Sequence, residues 1–196
     1  MLQYLDDTLK SLLESEIQVL PSTGDTKITI SFDTPYQGTI ENKPAINCFL
    51  YDVRENLELR SSSWSVERQN NGKALKKRPP ARIDCSYLIT AWPQNEDDIQ
   101  TEHELLGEVM KVLLRHRKIP ETYVVENDFE GQEIPMRLIS LRPSNVQSFG
   151  ELWQAMGGKD GTKPKVVLHC TVTISVPVDE AGEEVALVGV AQPNSQ

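Results

Sequence analysis

Residues 165–178, KVVLHCTVTISVPV, place the tightest constraint on the fold. Val166, Leu168, Cys170, Val172, Ile174 and Val176 alternate with His169, Thr171, Thr173 and Ser175. A period of two puts one set on each face of a β-strand. The valines, threonines and isoleucine also favour extended backbone. A strand this long, with one wholly apolar face, requires a sheet around it and an apolar layer to cover that face.

Other segments supply both. INCFLYDVRENLELR (46–60) reads as a long strand, bulged or bent at its middle. Phe49, Tyr51 and Val53 point one way and Cys48 and Leu50 the other; after Arg54 the segment turns polar and leaves the core. RIDCSYLITAW (82–92) sets Ile83, Cys85, Tyr87, Ile89 and Ala91 on one face. KITISF (27–32) and IPMRLISLR (134–142) read as two further strands. Three segments have helical spacing instead. Leu2, Leu5, Leu9, Leu12, Leu13 and Ile17 recur at steps of three and four, up to the PSTGD break at 21–25. Leu105, Leu106, Val109, Val112 and Leu113 stripe a helix over 99–116, and Phe149, Leu152, Trp153 and Met156 share a face over 145–156. The order predicts an α+β fold: a mixed, mostly antiparallel sheet of long strands, with helices packed mainly on one face. Residues 1–178 are expected to form a single domain, and 179–196 an acidic tail, mobile in the isolated subunit.

Charge narrows the function. The 196 residues carry 20 Lys and Arg against 29 Asp and Glu, a net charge of −9. Such a surface is a poor general binder of nucleic acid. The opening MLQYLDDTLKSLLES lacks the basic start and continuous apolar run of a signal peptide. No stretch approaches the roughly 18 apolar residues of a membrane span. Cys48, Cys85 and Cys170 lie far apart in apolar strand-like runs, so they are read as small buried hydrophobes in a reducing compartment.

TEHELLGEVMKVLLRH (101–116) tempts a zinc-protease reading, but Gly107 occupies the position where H-E-x-x-H needs its second histidine. Thirteen residues at about 100° each turn His116 roughly 220° away from His103. GGKDGTK (157–163) precedes a strand and lacks the G-K-[ST] of a phosphate loop. No G-x-S-x-G elbow occurs. Neither a catalytic residue nor a metal ligand or cofactor site is expected.

The anomaly is a basic stretch. Residues 54–82 hold eight Lys and Arg against three Glu, +5 in a chain of −9. Residues 61–80 are read as a long exposed loop or a projecting hairpin with Asn71-Gly72 at its tip. Lys73, Lys76, Lys77 and Arg78 are candidates for docking an acidic surface, and the rest of this same chain is acidic. Head-to-tail self-association would satisfy both charges.

FDTP (32–35), INCFLYDVRENLELR (46–60), RPPARIDCSYLITAW (78–92) and EHELLGEVMKVLLRHRKIP (102–120) occur in this order, and SFGELWQAMG (148–157) precedes the last strand. Together they resemble the cap, or tail-terminator, family of extracellular contractile injection systems, phage-tail-like particles of the antifeeding-prophage and virulence-cassette type. The resemblance spans roughly residues 2–178. It implies a phage tail-terminator-like fold and a non-enzymatic role, with six copies closing a ring on the end of the inner tube and sheath. Such a ring would stop polymerisation and hold the sheath extended. The implied partners are copies of the chain and the tube and sheath proteins, with no nucleic acid, no cofactor and at most indirect membrane contact. Assembly would be cytoplasmic. Arg54, Glu55, Asn56 and Arg60, polar residues of the matched motif where the strand leaves the core, are interface candidates. Two other classes stay open: a hydrolase or metalloenzyme, and a nucleic-acid binder using the basic 60–82 loop.

Overall fold

A computed structural model describes residues 1–17, 20, 22–35, 40–68, 73–125, 132, 136–140, 151, 154, 165–178 and 183–186. The chain begins with helix α1 (Leu2–Glu16) and continues through strands β1 (Thr29–Ser31), β2 (Ala45–Glu55), β3 (Ser65–Arg68), β4 (Lys73–Lys77) and β5 (Ala81–Trp92). Helix α2 (Ile99–Arg115) follows, and strands β6 (Arg137–Ser140), β7 (Leu168–Val176) and β8 (Glu183–Ala186) complete it.

Five strands form the main sheet in the order β1-β2-β5-β7-β6. Only the short β1–β2 pair is parallel; every other neighbour is antiparallel. The fold is therefore α+β with a mixed, mostly antiparallel sheet, as its alternating and helical periods require. α1 and α2 lie on one face. Leu5, Leu9 and Leu12 of α1 and Leu105, Val109 and Leu113 of α2 meet Cys48, Cys85, Tyr87, Cys170 and Val172 of the sheet in one continuous core. Asp98 starts α2: its carboxylate accepts the Thr101 N–H at 3.0 Å, satisfying one of the unpaired donors of a helix start. Hydrogen bonds from Thr101 hold that carboxyl below the usual range.

β2 departs from simple alternation. Leu50 pairs with Tyr87 and Asp52 with Ser86, so Tyr51 is the extra residue of a bulge. The bulge returns Val53 to the helix side, opposite Cys85, while Tyr51 stays on the other face against His169. The expected grouping of Tyr51 with Val53 is thus corrected by one inserted residue. The expected strand over 46–60 also ends early, at Glu55. Asn56 Oδ1 accepts the Leu59 N–H at 3.1 Å and caps a 3₁₀ turn over Leu57–Leu59.

The opposite face of the sheet is polar yet largely buried. Ser86 and Thr171 hydroxyls lie 3.1 Å apart, and Thr173 Oγ1 donates to Asp84 at 2.7 Å. These lateral bonds between neighbouring strands let hydroxyls leave water without a desolvation penalty. Beyond β6, Gln132 Oε1 accepts the Ser175 N–H at 2.7 Å and its amide donates back to the Ser175 carbonyl. One side chain there does the work of a strand residue.

β3 and β4 form a hairpin, the second of the two expected forms, with the tip at 69–72 outside the described residues. Together with β8 they make a separate three-stranded sheet, β3-β4-β8. Within the segment expected as an acidic tail, residues 183–186 form β8. This segment pairs with β4, and the register sets Glu183 opposite Lys76. Of the expected helix at 145–156, Glu151 and Gln154 are helical and the remaining positions lie outside the described residues, as does the 157–163 loop. Of the strand expected at 134–142, Arg137–Ser140 is described as strand.

Candidate assembly interface

The residues singled out in the sequence fall on one continuous stretch, from the end of β2 through the 3₁₀ turn to the hairpin. Arg54 closes on its own strand: its Nε lies 2.6 Å from Asp52 Oδ2, and this bond holds the guanidinium more firmly protonated. Glu55 and Arg60 bracket the turn. Arg60 Nε and one of its terminal nitrogens reach the two Glu55 oxygens at 2.9 and 3.1 Å. A two-pronged pair of this kind fixes geometry better than a single contact.

Asn56 is turned inward. Its Nδ2 donates to both Asp84 oxygens at 3.1 and 2.9 Å, and its N–H reaches the Arg82 carbonyl at 2.8 Å. Asp84, which sequence reasoning passed over, thus gathers β2, β5 and β7 through Asn56 and Thr173. The only sequence signal for it was an acid on the polar side of an otherwise apolar strand.

On the hairpin, Lys76 Nζ stands 4.4 Å and the Arg78 guanidinium 5.2 Å from the centre of the Trp64 ring. Cations over an indole face are attracted to its negative quadrupole. Trp64 stays partly exposed between them. The sequence showed Trp64 as a lone aromatic in a polar stretch, and its role depends on residues across the hairpin. Lys73 is exposed on β4, and the Lys77 carbonyl accepts the Ser65 hydroxyl at 3.4 Å. The arrangement is an apolar and cationic surface framed by internal ion pairs. It suits recognition of an acidic surface, and its described residues bring no nucleophile together with a base.

The residues that suggested chemistry sit elsewhere. His103 is exposed on α2. His116 lies at that helix's other end, where its Nε2 is 3.1 Å from Glu16 Oε1. Glu16 also accepts the Tyr123 hydroxyl at 2.9 Å and pairs with Arg115, so it stitches α1 to the end of α2. Among the described residues no group of three or more His, Cys, Asp and Glu is placed to hold a metal. The three cysteines are buried and unpaired, and burial pushes the Cys85 and Cys170 thiols up to about 12. Thiols held protonated in this way are poor nucleophiles. Among the described residues no helix is long and apolar enough to cross a membrane.

Two solved structures share this architecture. One is the sheath/tube terminator of a PVC extracellular contractile injection system in its extended state, with a TM-score of 0.70 and 22% identity over 100% of this chain. The other is the tube-terminating cap of the anti-feeding prophage, with a TM-score of 0.63 and 20% identity over 97% of this chain. The chain spans 63% and 60% of the lengths of those two proteins. No curated protein sequence matches it. The family described as the Pvc16 N-terminal domain matches residues 4–189, and the chain belongs to that family.

Proposed function

We propose that this chain is a structural cap of a contractile injection system. Six copies close a ring on the last layer of inner tube and sheath, end their growth and hold the sheath extended. The observation that carries the reading is the likeness of fold, over essentially the whole chain, to two terminators of such particles. Family membership over residues 4–189 supports it further. A helical tube presents the same heterologous surface at every layer, so its growth has no intrinsic end. A subunit that binds the last layer and offers no copy of that layer's outer face ends it.

In this reading the chain acts without catalysis or cofactor. Its partners are its own copies and the tube and sheath proteins, and it joins the phage-tail-like particle in the cytoplasm. Residues 1–178 act as the ring-forming domain. The acidic 179–196 segment lies partly on the hairpin. Arg54, Glu55, Asn56 and Arg60 brace the base of the hairpin, and Lys73, Lys76, Lys77 and Arg78 present its charge to a partner.

Deletion of the gene from a particle-producing strain tests the reading by electron microscopy. Particles of irregular length, or detached and contracted sheaths, are expected. Normal length with stable extended sheaths overturns it.

A further inference from the structure

α2 has a second apolar stripe that none of the described residues covers. Its buried face is the one already described. Ile99, His103, Gly107, Met110 and Leu114 recur at steps of four, four, three and four. At about 100° per residue they fall within one sector of roughly 80°. This sector lies outside the buried face and beside the charged one. Ile99 and Leu114 remain 61% and 56% exposed, and Met110 is exposed as well.

Gly107 sharpens the point. A glycine inside a helix is less favourable than alanine by about 1 kcal/mol. A Cβ added at Gly107 would meet no described atom within 4 Å. Packing among the described residues therefore does not call for glycine there. What its missing side chain leaves is a notch in the stripe between His103 and Met110, open to a group from outside.

A second exposed apolar patch lies beside the hairpin. Leu57 is 68% exposed, and Leu59, Trp64 and Val66 are exposed with it. This patch lies within the +5 stretch. The approach to α2 and its first half, residues 94–110, carry six Asp and Glu and no Lys or Arg. Of these six, Glu102 is buried against Lys165, Glu96 pairs with Lys43 and Glu108 with Lys111. This leaves the start of α2 mildly acidic against a basic rim around the other patch, both being apolar at the centre.

Topology keeps the two apart within one subunit. β5 begins beside the hairpin, where Ile83 pairs with Glu55, and ends at Trp92, just before α2. α2 starts near the far end of β5 and runs back along the sheet, so that its last turn lies over β6, where the Ser140 hydroxyl reaches the Leu113 carbonyl. Leu57 follows β2, on the other side of β5. Two different, complementary patches that one subunit cannot bring together are what a head-to-tail contact requires.

We infer that the second stripe of α2 receives the Leu57–Trp64 patch of a neighbouring copy, with Gly107 as the notch for an inserted side chain. This rests on the cap reading, in which copies of this chain close a ring.

The full chain tests it by native mass spectrometry and light scattering across a concentration series. Wild-type protein should self-associate. Leu57→Glu and Leu114→Glu should each raise the concentration for half-association about tenfold or more. Gly107→Leu should weaken association without lowering Tm, a combination that a merely structural glycine would not give. Because the native cysteines are buried, Leu57→Cys and Leu114→Cys copies can be mixed and cross-linked. Mixed dimers should dominate over either like pair. A monomeric wild type, association indifferent to these variants, or cross-linking mainly between like copies would overturn the inference. Rings that persist in all variants would sink this inference alone, whereas normal particles in the deletion strain would sink the cap reading.

Discussion

The Tyr87 hydroxyl donates to Asp6 Oδ1 at 2.8 Å and ties the middle of the central strand to α1. Tyr87 is fully buried and Asp6 half-buried. Burial raises the Asp6 carboxyl above its ordinary value, the bond from Tyr87 opposes that rise, and Asp7 adds to it. Tyr87→Phe removes the donor and leaves the carboxylate with poorer solvation, at a cost of about 1–3 kcal/mol. Asp6→Asn keeps an acceptor without the charge and should match or exceed wild type at pH 7. Because the folded value is raised, protonation favours the fold. The handicap of Asp6 is absent below 3.8 and grows as pH rises through the folded value. Urea denaturation should therefore show the advantage of Asp6→Asn shrinking on acidification.

Lys165 and Glu102 form an ion pair with side chains only 11% and 10% exposed, and Lys165 also lies 4.9 Å from the centre of the Trp92 ring. Lys165→Ala strands the Glu102 charge out of water and should cost roughly 3–5 kcal/mol. Lys165→Met combined with Glu102→Gln should recover most of that loss in the same thermal or chemical melt. Equal destabilisation by the single and double changes would refute the pairing.

Glu16 titrates in the opposite sense to Asp6. The Tyr123 hydroxyl, with His116 and Arg115, holds its carboxyl below the ordinary value of 4.5. The resulting stability is present above 4.5 and disappears as the pH falls through the lower folded value. Glu16→Gln should therefore be less stable than wild type near neutrality, and the gap should close in acid. A gap that stays constant across a pH series of melts would exclude the effect.

Reversing Lys76, Lys77 and Arg78 to glutamate removes both cations from Trp64 and inverts the charge of β4. Exposed pairs contribute about 0–1 kcal/mol each, so the isolated fold should survive with native circular dichroism. Assembly of rings or particles should weaken, most clearly at low salt, where charges are least screened. Undiminished assembly at low ionic strength would rule out a charge-guided hairpin.

Local order and long-range order were not equally visible in the sequence. The alternation from Leu168 to Val176 and the stripe of α2 are properties of a few consecutive residues, so they were legible directly. A bulge or bend near the middle of 46–60 was legible in the sequence, but its exact place, Tyr51, exists only relative to β5. The basic hairpin was visible as charge, and its framing of Trp64 depends on Lys76 and Arg78 arriving from the other strand. The addition of β8 was hidden for a related reason: Lys76 and Glu183 are 107 positions apart, and no local pattern reports such a partnership. Asp84 carried no signal beyond its oddness, because its partners come from elsewhere in the chain, Asn56 from the turn after β2 and Thr173 from β7.

β5 is bonded along most of its length to β2 on one side and β7 on the other, both antiparallel. It joins the hairpin through Arg78-Pro79-Pro80, where two rings fix the backbone and leave little slack. A pull on the hairpin along this axis loads both ladders in shear, so many hydrogen bonds must yield together. A sideways pull would peel them one at a time. The subunit is mechanically strong in one direction, and tension collected at the hairpin passes down a stiff strut to the edge where α2 begins.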